Sequence, residues 1–458
     1  MLECITTGGT KDMSLTTESH AAQFVDLLAP ASPLSESDAA RITAAWAGSG
    51  EFGDHVVYER DRRWTFAAGV RARVVVTRSE VIVDDRGDRT TTSWHGDPAD
   101  ALAAATASLS IPDWRVYGWV GFDFCAPYHG ILDRVPEDTV LAHLIVPEFE
   151  ATVDAGGVDT GSVDADRAQR LLEIASQATV SAQSRPVDVQ SDPDDYRGRV
   201  ATAVAEIEAG RYQKVILSRA VDIPFDVDIP ATYARGRADN NPARSYLLSL
   251  GDLQAAGFSP ELVVAVHDDR TVVTEPLAGT RAFGISPEQD AAARADLLSD
   301  AKEIAEHAMS VRACFDEISS IAVAGTTVVS EFMEVRERGS VQHLASTVRG
   351  TLLDHETPWR ALEVVFPSIT ASGIPKTPAV EAIDRLEPRR RGLYSGAILT
   401  ATSTGELEAT LALRTIFASG DGAWLRAGAG IVAQSTPERE FTETCEKLGS
   451  VAPYVVPR

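Results

Sequence analysis

The chain has 458 residues, 44% of them hydrophobic and 24% charged, with a formal charge of −25. Length and composition are those of a globular protein with ample core, built as one large domain or two ordinary ones. The charge excludes a nucleic-acid partner, because a polyanion would be repelled and no basic stripe offsets it. A small anionic ligand at a locally positive site stays open.

The four cysteines (Cys4, Cys125, Cys314, Cys445) lie far apart without a Cys-x-x-Cys pair, which predicts a reduced, cytoplasmic protein. The first 30 residues hold one lysine and no apolar stretch of a secretion signal. No run approaches the 18 apolar residues of a membrane span. Met13 is a candidate natural start, which would make residues 1–12 an extension.

In chain order, residues 13–50 read as Ala-rich helix with a cap region at Ser35–Asp38. From His55 to Asp88, the runs around Val57, Phe66, Val75 and Ile82 are broken by Asp, Arg and Gly turns and predict a β-meander. Strand-like segments recur at 115–124 and 140–153; Asp154–Asp166 reads as a loop and 180–192 as a linker. A helix follows with Asp192 as N-cap, Pro193 in its first position, a stripe of Val200, Val204 and Ile207, and Gly210 past its end. Beyond it, strands are predicted near 244–250, 262–268, 271–275, 392–401, 408–418 and 422–428, and helices near 299–322, 357–365, 377–386 and 437–449. Short turns such as Ser403-Thr404-Gly405 join successive strands, so antiparallel pairing and an α+β fold with helices outside are expected. The division is 1–50 as extension and helix, 51–185 as a β-rich part of the same unit, and 190–458 as the part carrying the candidate chemistry.

Lys214 opens the apolar run Lys-Val-Ile-Leu-Ser-Arg-Ala-Val (214–221). An amine at the mouth of a strand loses hydration, which disfavours the ammonium and suits a base. Glu261 stands isolated in Ser-Pro-Glu-Leu-Val, as an acid or as a cap after Pro260. Two Glu-x-x-Glu pairs, Glu303/Glu306 and Glu440/Glu443, sit on predicted helices, the first opposite a stripe of Ile304, Ala308, Val311, Phe315 and Ile318. Small Ser310 and Ala313 on the glutamate face would leave room for a ligand. The second helix shows capping-box spacing, Ser435-x-x-Glu438, with Glu440, Glu443 and Lys447 opposite Phe441, Cys445 and Leu448. By spacing alone each pair is an ordinary solvated face. Jointly, four converging carboxylates need a cation, and all-oxygen ligands select Mg²⁺ over zinc. Gly428-Ala-Gly430-Ile-Val-Ala433 matches a loose dinucleotide fingerprint, but too little chain follows for that fold. A tight glycine turn offering backbone N–H groups to an anion is expected instead.

Eight ordered words resemble the chorismate-utilising enzymes: Lys214–Arg219, Ser259–Leu262, Glu275–Arg281, Lys302–His307, Val341–Leu344, Arg391–Gly396, Arg426–Ile431 and Pro437–Lys447. Within that group, Thr370–Lys376 and residues 336–343 are similar to salicylate synthases of mycobactin-type siderophore pathways, as are Tyr58–Gly69 and Tyr117–Phe122. The resemblance implies a monomeric catalytic unit of the anthranilate/isochorismate synthase-like fold. It also implies Mg²⁺, and chorismate converted through isochorismate to salicylate and pyruvate. It gives Lys214 as the base activating water at C2 and Glu261 as the acid on the C4 hydroxyl. Glu306 and Glu443 would hold Mg²⁺ directly, with Glu303 and Glu440 in support. Arg414 would clamp the enolpyruvyl carboxylate; Gly279, Thr280, Tyr394, Gly428, Ala429, Gly430 and Lys447 would complete the cradle. His343 would lie near the departing pyruvyl group, or be a satisfied core histidine. Arg414 and Tyr394 sit in strand-like runs where structural hydrogen bonds are the ordinary role.

Thr370, Tyr394 and Leu413 lean towards salicylate as product, against an isochorismate synthase that stops one step earlier. An amine-transferring synthase would carry glutamine at the base position. A non-catalytic binder of anionic metabolites is the alternative from another class.

Overall fold

The computed structural model describes residue 30 and residues 32–161, 163–179, 183–338 and 341–458. Met13, the extension, residues 13–29 of the expected first helix and part of the 336–343 stretch lie outside the described residues. The helix Glu36–Gly48 starts where Ser35 and Asp38 cap each other's backbone N–H groups at 3.1 and 3.2 Å.

Two antiparallel sheets carry the fold. The first has ten strands in the order Gly373–Ile374, Lys214–Ile223, Gly422–Ile431, Thr415–Ser419, Leu253–Ser259, Arg244–Leu250, His55–Arg60, Arg63–Ala68, Phe149–Asp154 and Gly157–Asp159. The second has twelve. Its path runs Leu277–Ala282, Val341–Thr351, Thr271–Thr274, Leu262–Val266, Leu407–Leu411, Ala397–Thr402, Arg115–Val120, Val140–Val146, Ala72–Thr77, Glu80–Asp85 and Asp88–Ser93, with Val328–Arg338 paired beside Val341–Thr351. Residues before 160 and after 210 contribute to both sheets.

A core holding Val56, Tyr58, Tyr246 and Leu248 from one sheet and Tyr117, Trp119, Ile145 and Ile398 from the other lies between them. A second core joins the first sheet to the helices Glu36–Gly48, Ala165–Gln177 and Ile229–Asp239. A third joins the second sheet to Pro98–Ala107, Ala301–Ile321, Pro358–Val365 and Lys376–Leu386. The result is a helix–sheet–sheet–helix stack in which each sheet buries both faces.

Several expected elements differ. The meander is divided: after Ala68 the chain turns at Gly69 (φ 72°) and the next strands join the other sheet. The helix after the linker is Tyr196–Glu208, capped by Asp195, while the Asp192 carboxylate accepts from Tyr196 N at 2.7 Å. Asp154–Asp166 contains the short strand Gly157–Asp159 rather than a loop throughout. Helices Pro98–Ala107, Ala165–Gln177, Ile229–Asp239 and Pro287–Ser299 were not expected, although Ala165–Gln177 carries an apolar stripe of Leu171, Leu172 and Ala175. Most consequential, the single strand expected at 408–418 is two, Leu407–Leu411 and Thr415–Ser419, in different sheets. The crossing is Ala412-Leu413-Arg414, with Arg414 at φ 51°. A second crossing, Pro260-Glu261, joins Leu253–Ser259 to Leu262–Val266. Proline has no N–H for a ladder, which suits that break. Leu411 N donates to Glu261 O at 3.0 Å, so the crossings lie side by side. Among the described residues no helix is long and apolar enough to cross a membrane.

Candidate active site

Lys214 is the first residue of its strand and only 3% exposed. Its register places it against Ile374 on one side, while the neighbouring strand brings Gly430 opposite Ile216 on the other. The amine lies 2.5 Å from Glu306 Oε1, on the helix Ala301–Ile321. A Cβ at Gly430 would sit 3.2 Å from Lys214 Cε and 3.5 Å from Glu306 Oε1. Absence of a side chain there is what admits the lysine.

Glu261, at the Pro260-Glu261 crossing, is 4% exposed. No helix follows Pro260, so it caps nothing. Its Oε1 accepts from Ser368 Oγ at 2.7 Å and Thr370 Oγ1 at 2.5 Å. Burial pushes the carboxyl up to about 7, against the pull of Thr370, Ser368 and Lys214. The Lys214 charge acts on Glu261, so base and acid candidates share one site.

The glutamate pairs face inward rather than to solvent. On Ala301–Ile321 the buried residues are His307, Ser310, Val311, Cys314, Ile318 and Ile321, a face rotated toward the glutamates from the expected stripe. Polar His307 and Ser310 hide it in the pattern: His307 Nε2 meets Ser346 Oγ at 2.7 Å, and Ser310 donates to Glu306 O at 3.1 Å. Burial and then neighbouring Glu306 raise the Glu303 carboxyl. The helix Pro437–Leu448 is capped by Thr436, not Ser435, whose hydroxyl instead accepts from Val432 N at 3.0 Å. Glu440 is 2% exposed, and burial raises its carboxyl, with Glu443 adding and Ser435 opposing. Burial also acts on Glu443, but Lys447, 2.8 Å away, outweighs it and holds the carboxyl below the usual range.

Lys302 acts electrostatically on Glu303, Glu440 and Glu443, so one cation is within electrostatic reach of carboxylates from both pairs. Among the described residues, no three acidic, His or Cys side chains stand close enough together to hold a metal. Instead the carboxylates meet cations of the chain: Glu306 with Lys214, Glu443 with Lys447, and Glu303 with Arg281 at 3.7 Å. The donor set still fits a hard divalent ion: all are carboxylates, and burial, with a like-charge neighbour adding to it, raises Glu303 and Glu440.

Gly428, Ala429 and Gly430 do not form a turn. They continue the strand Gly422–Ile431, opposite Ser218, Leu217 and Ile216. Their small size serves close approach: a Cβ at Gly428 would meet Leu217 O at 2.8 Å and the Tyr394 hydroxyl at 3.1 Å. Lys447 Nζ donates to Gly428 O at 2.8 Å. Tyr394 is buried in a turn before the strand Ala397–Thr402, not within a strand. Leu413 and Tyr394 both touch the inter-sheet core.

His343 is buried, with Nδ1 2.9 Å from Gly279 O and 3.2 Å from Thr280 Oγ1. Arg414 reaches Nε2 at 3.1 Å. A guanidinium only donates, so Nε2 accepts and the ring proton sits on Nδ1, bonded to Gly279 O. His343 thus ties the irregular stretch Gly279–Thr280 of the strand Leu277–Ala282 to Arg414. Gly279 has φ 62°, and a Cβ there would meet Glu303 Oε2 at 3.2 Å.

Contacts among the predicted residues join His343 to Gly279, Thr280 and Arg414, Lys214 to Glu306, Glu261 to Thr370, and Lys447 to Glu443 and Gly428. Ser368, Lys302 and Arg281 belong with them and were not singled out by sequence. Ser368 stands two residues before Thr370 in the same loop, and Lys302 beside Glu303; both signals are weak without contacts. Two cavities of about 500 and 450 Å³ lie elsewhere, the first around Asp54, Arg73 and Arg167, the second around Tyr58, Arg115 and Glu408. Neither sets an isolated acid against a buried amine.

The model for chorismate binding enzymes matches residues 54–453. The salicylate synthase of Mycolicibacterium paratuberculosis is 47% identical over 406 residues, 88% of this chain and 90% of that one. Among solved structures, anthranilate synthase component I from Streptococcus pneumoniae superposes with a TM-score of 0.69 at 28% identity, covering 85% of this chain and 92% of that one. The menaquinone-specific isochorismate synthase of Escherichia coli shares the fold, with a TM-score of 0.67 at 20% identity over 90% of each chain. With Glu261 at a crossing of two antiparallel sheets, Lys214 opening a strand and the four glutamates on the helices Ala301–Ile321 and Pro437–Leu448, this chain belongs to the family of chorismate binding enzymes.

Proposed function

We propose that the protein is a salicylate synthase, converting chorismate through isochorismate to salicylate and pyruvate. The observation that carries the reading is Glu261, a carboxyl pushed up to about 7 by burial and within electrostatic reach of the buried Lys214 amine. The 47% identity to a salicylate synthase across nearly all of both chains supports the choice of product.

Water attacks poorly until deprotonated, and a ring hydroxyl leaves poorly until protonated. Lys214 takes a proton from the water that adds at C2. Glu261 gives one to the C4 oxygen as its bond to carbon breaks, so water is gained at one carbon and lost at another. Isochorismate then releases pyruvate and the ring becomes aromatic. Arg414, fixed through His343, engages the enolpyruvyl carboxylate with its planar fork. Thr280, Gly279, Tyr394 and the Gly428–Gly430 strand border the ring. Glu306 and Glu443 would hold Mg²⁺, with Glu303 and Glu440 supporting, and the ion would supply positive charge to the ring carboxylate. Salicylate made this way fits supply of a siderophore pathway.

Incubating the purified chain with chorismate and Mg²⁺ tests the reading. Fluorescent salicylate and equimolar pyruvate are expected, both lost with a chelator. Accumulated isochorismate would mean the shorter reaction, and anthranilate formed with ammonia would overturn the assignment of Lys214.

A further inference from the structure

Glu261 is fixed more firmly than its position at a sheet crossing requires. Its backbone carbonyl accepts from Leu411 N at 3.0 Å and from Thr410 Oγ1 at 3.0 Å. Its side chain then meets two hydroxyls at one oxygen. Ser368 Oγ and Thr370 Oγ1 both reach Oε1, and the two hydroxyls lie 2.7 Å from each other. Ser368 is itself held, because its carbonyl accepts from Ala371 N and from Ser372 Oγ, each at 2.9 Å. A hydroxyl has one proton to donate. Two of them converge on one carboxyl oxygen when that oxygen is the acceptor.

We propose that Ser368 is a positioning residue for the proton donor: with Thr370 it pins Oε1 of Glu261, so that Oε2 is the oxygen that hands its proton to the departing hydroxyl. The assignment rests on the reading of Glu261 as the general acid. In the step, the proton leaves Oε2, the C4–O bond breaks, water departs, and the carboxylate left behind is met by two hydroxyl donors on Oε1.

The charged and titratable groups around Glu261 are Lys214, from the neighbouring sheet, and Cys314, from the helix Ala301–Ile321; the Leu277 N–H also acts on the carboxyl. Lys214, Leu277 and both hydroxyls favour the charged form, whereas burial favours the protonated one. Removing one hydroxyl therefore strengthens the hold on the proton. In Ser368→Ala the pH at which Glu261 loses its proton should rise by about one unit, as befits a hydrogen bond to a charged group. The turnover number should fall while KM for chorismate is unchanged. Ser368→Thr keeps the hydroxyl and should restore both.

The titration is read directly on the Mg²⁺-loaded enzyme, as the infrared carboxyl band that disappears in Glu261→Gln, alongside the pH profile of kcat. An unmoved band and profile in an active Ser368→Ala variant, with only a lower melting temperature, would overturn the assignment and leave Ser368 structural. A wild-type chain that makes no aromatic product fails the functional reading instead, so the two failures are separable.

Discussion

At the scale of single residues, the site is a set of buried charges whose partners decide what each can do. Lys214 is enclosed, yet its amine has a carboxylate 2.5 Å away, so the lysine is oriented as well as desolvated. Replacing it by glutamine, one atom shorter, keeps a polar donor but removes the base. Lys214→Gln should lower kcat by roughly 10²–10⁴ while circular dichroism stays that of the parent; salicylate formed at the parental rate would remove Lys214 from the chemistry. His343 shows the opposite lesson. Its type suggests proton transfer, but Gly279 O and Arg414 engage both ring nitrogens, which makes it a brace between the strand Leu277–Ala282 and the guanidinium.

At the scale of elements, the proposed acid, base and guanidinium stand where strands begin or change sheets. Lys214 opens a strand, Glu261 occupies one crossing and Leu413-Arg414 the other. The strand Gly422–Ile431 contributes by what it omits. Gly430→Ala suits an extended backbone and stiffens the unfolded chain, which alone stabilises by about 0.4–1 kcal/mol. Its new methyl, 3.2 Å from Lys214 Cε and 3.3 Å from Ile216 Cδ1, must displace the lysine by a few tenths of an ångström. Melting temperature near that of the parent with kcat reduced roughly tenfold is the expected pairing, given the cost of misplacing a reacting group. A variant with unchanged kcat would show that the glycine serves the backbone only. Much of this scale was legible: the helices near 299–322, 357–365, 377–386 and 437–449 lie within two residues of where they form. The glycine run was misjudged because a small residue permits a turn and a close approach alike, and only pairing with Lys214–Ile223 distinguishes them.

Across the whole molecule, one buried network fastens the site to both sheets. Glu387 meets Arg391 at 2.7 Å and Arg426 at 2.6 Å, and accepts from Ser218 N at 2.7 Å. Arg391 also donates to Ile216 O and Ala371 O, each at 2.7 Å. The strand of Lys214, the strand of Gly428 and the turn before Tyr394 are thereby locked together. Burial raises the Glu387 carboxyl, but Arg391 and Arg426 outweigh it, leaving the carboxyl below its ordinary 4.5. Its contribution to stability is therefore whole above pH 4.5 and is lost as pH falls through the lower folded value. Glu387→Gln leaves two buried guanidinium groups facing each other and should cost about 3–5 kcal/mol in denaturant unfolding at neutral pH. A loss within 1 kcal/mol would mean that the network is not needed for stability.

What the sequence determined by itself was local. Hydrophobic period and turn residues specified most strands and the longer helices, and the order of short words was enough to recognise the family. Acid, base and glutamate candidates could be named because each is an odd residue in an apolar or helical setting. Tertiary structure alone decided which of two sheets each strand joins, that the run 408–418 is two strands, and that both glutamate pairs face inward with lysine partners. Those outcomes depend on contacts between residues far apart in the chain, such as Lys214 with Glu306 and Glu261 with Ser368, whose energies leave no periodic mark on the segments that make them.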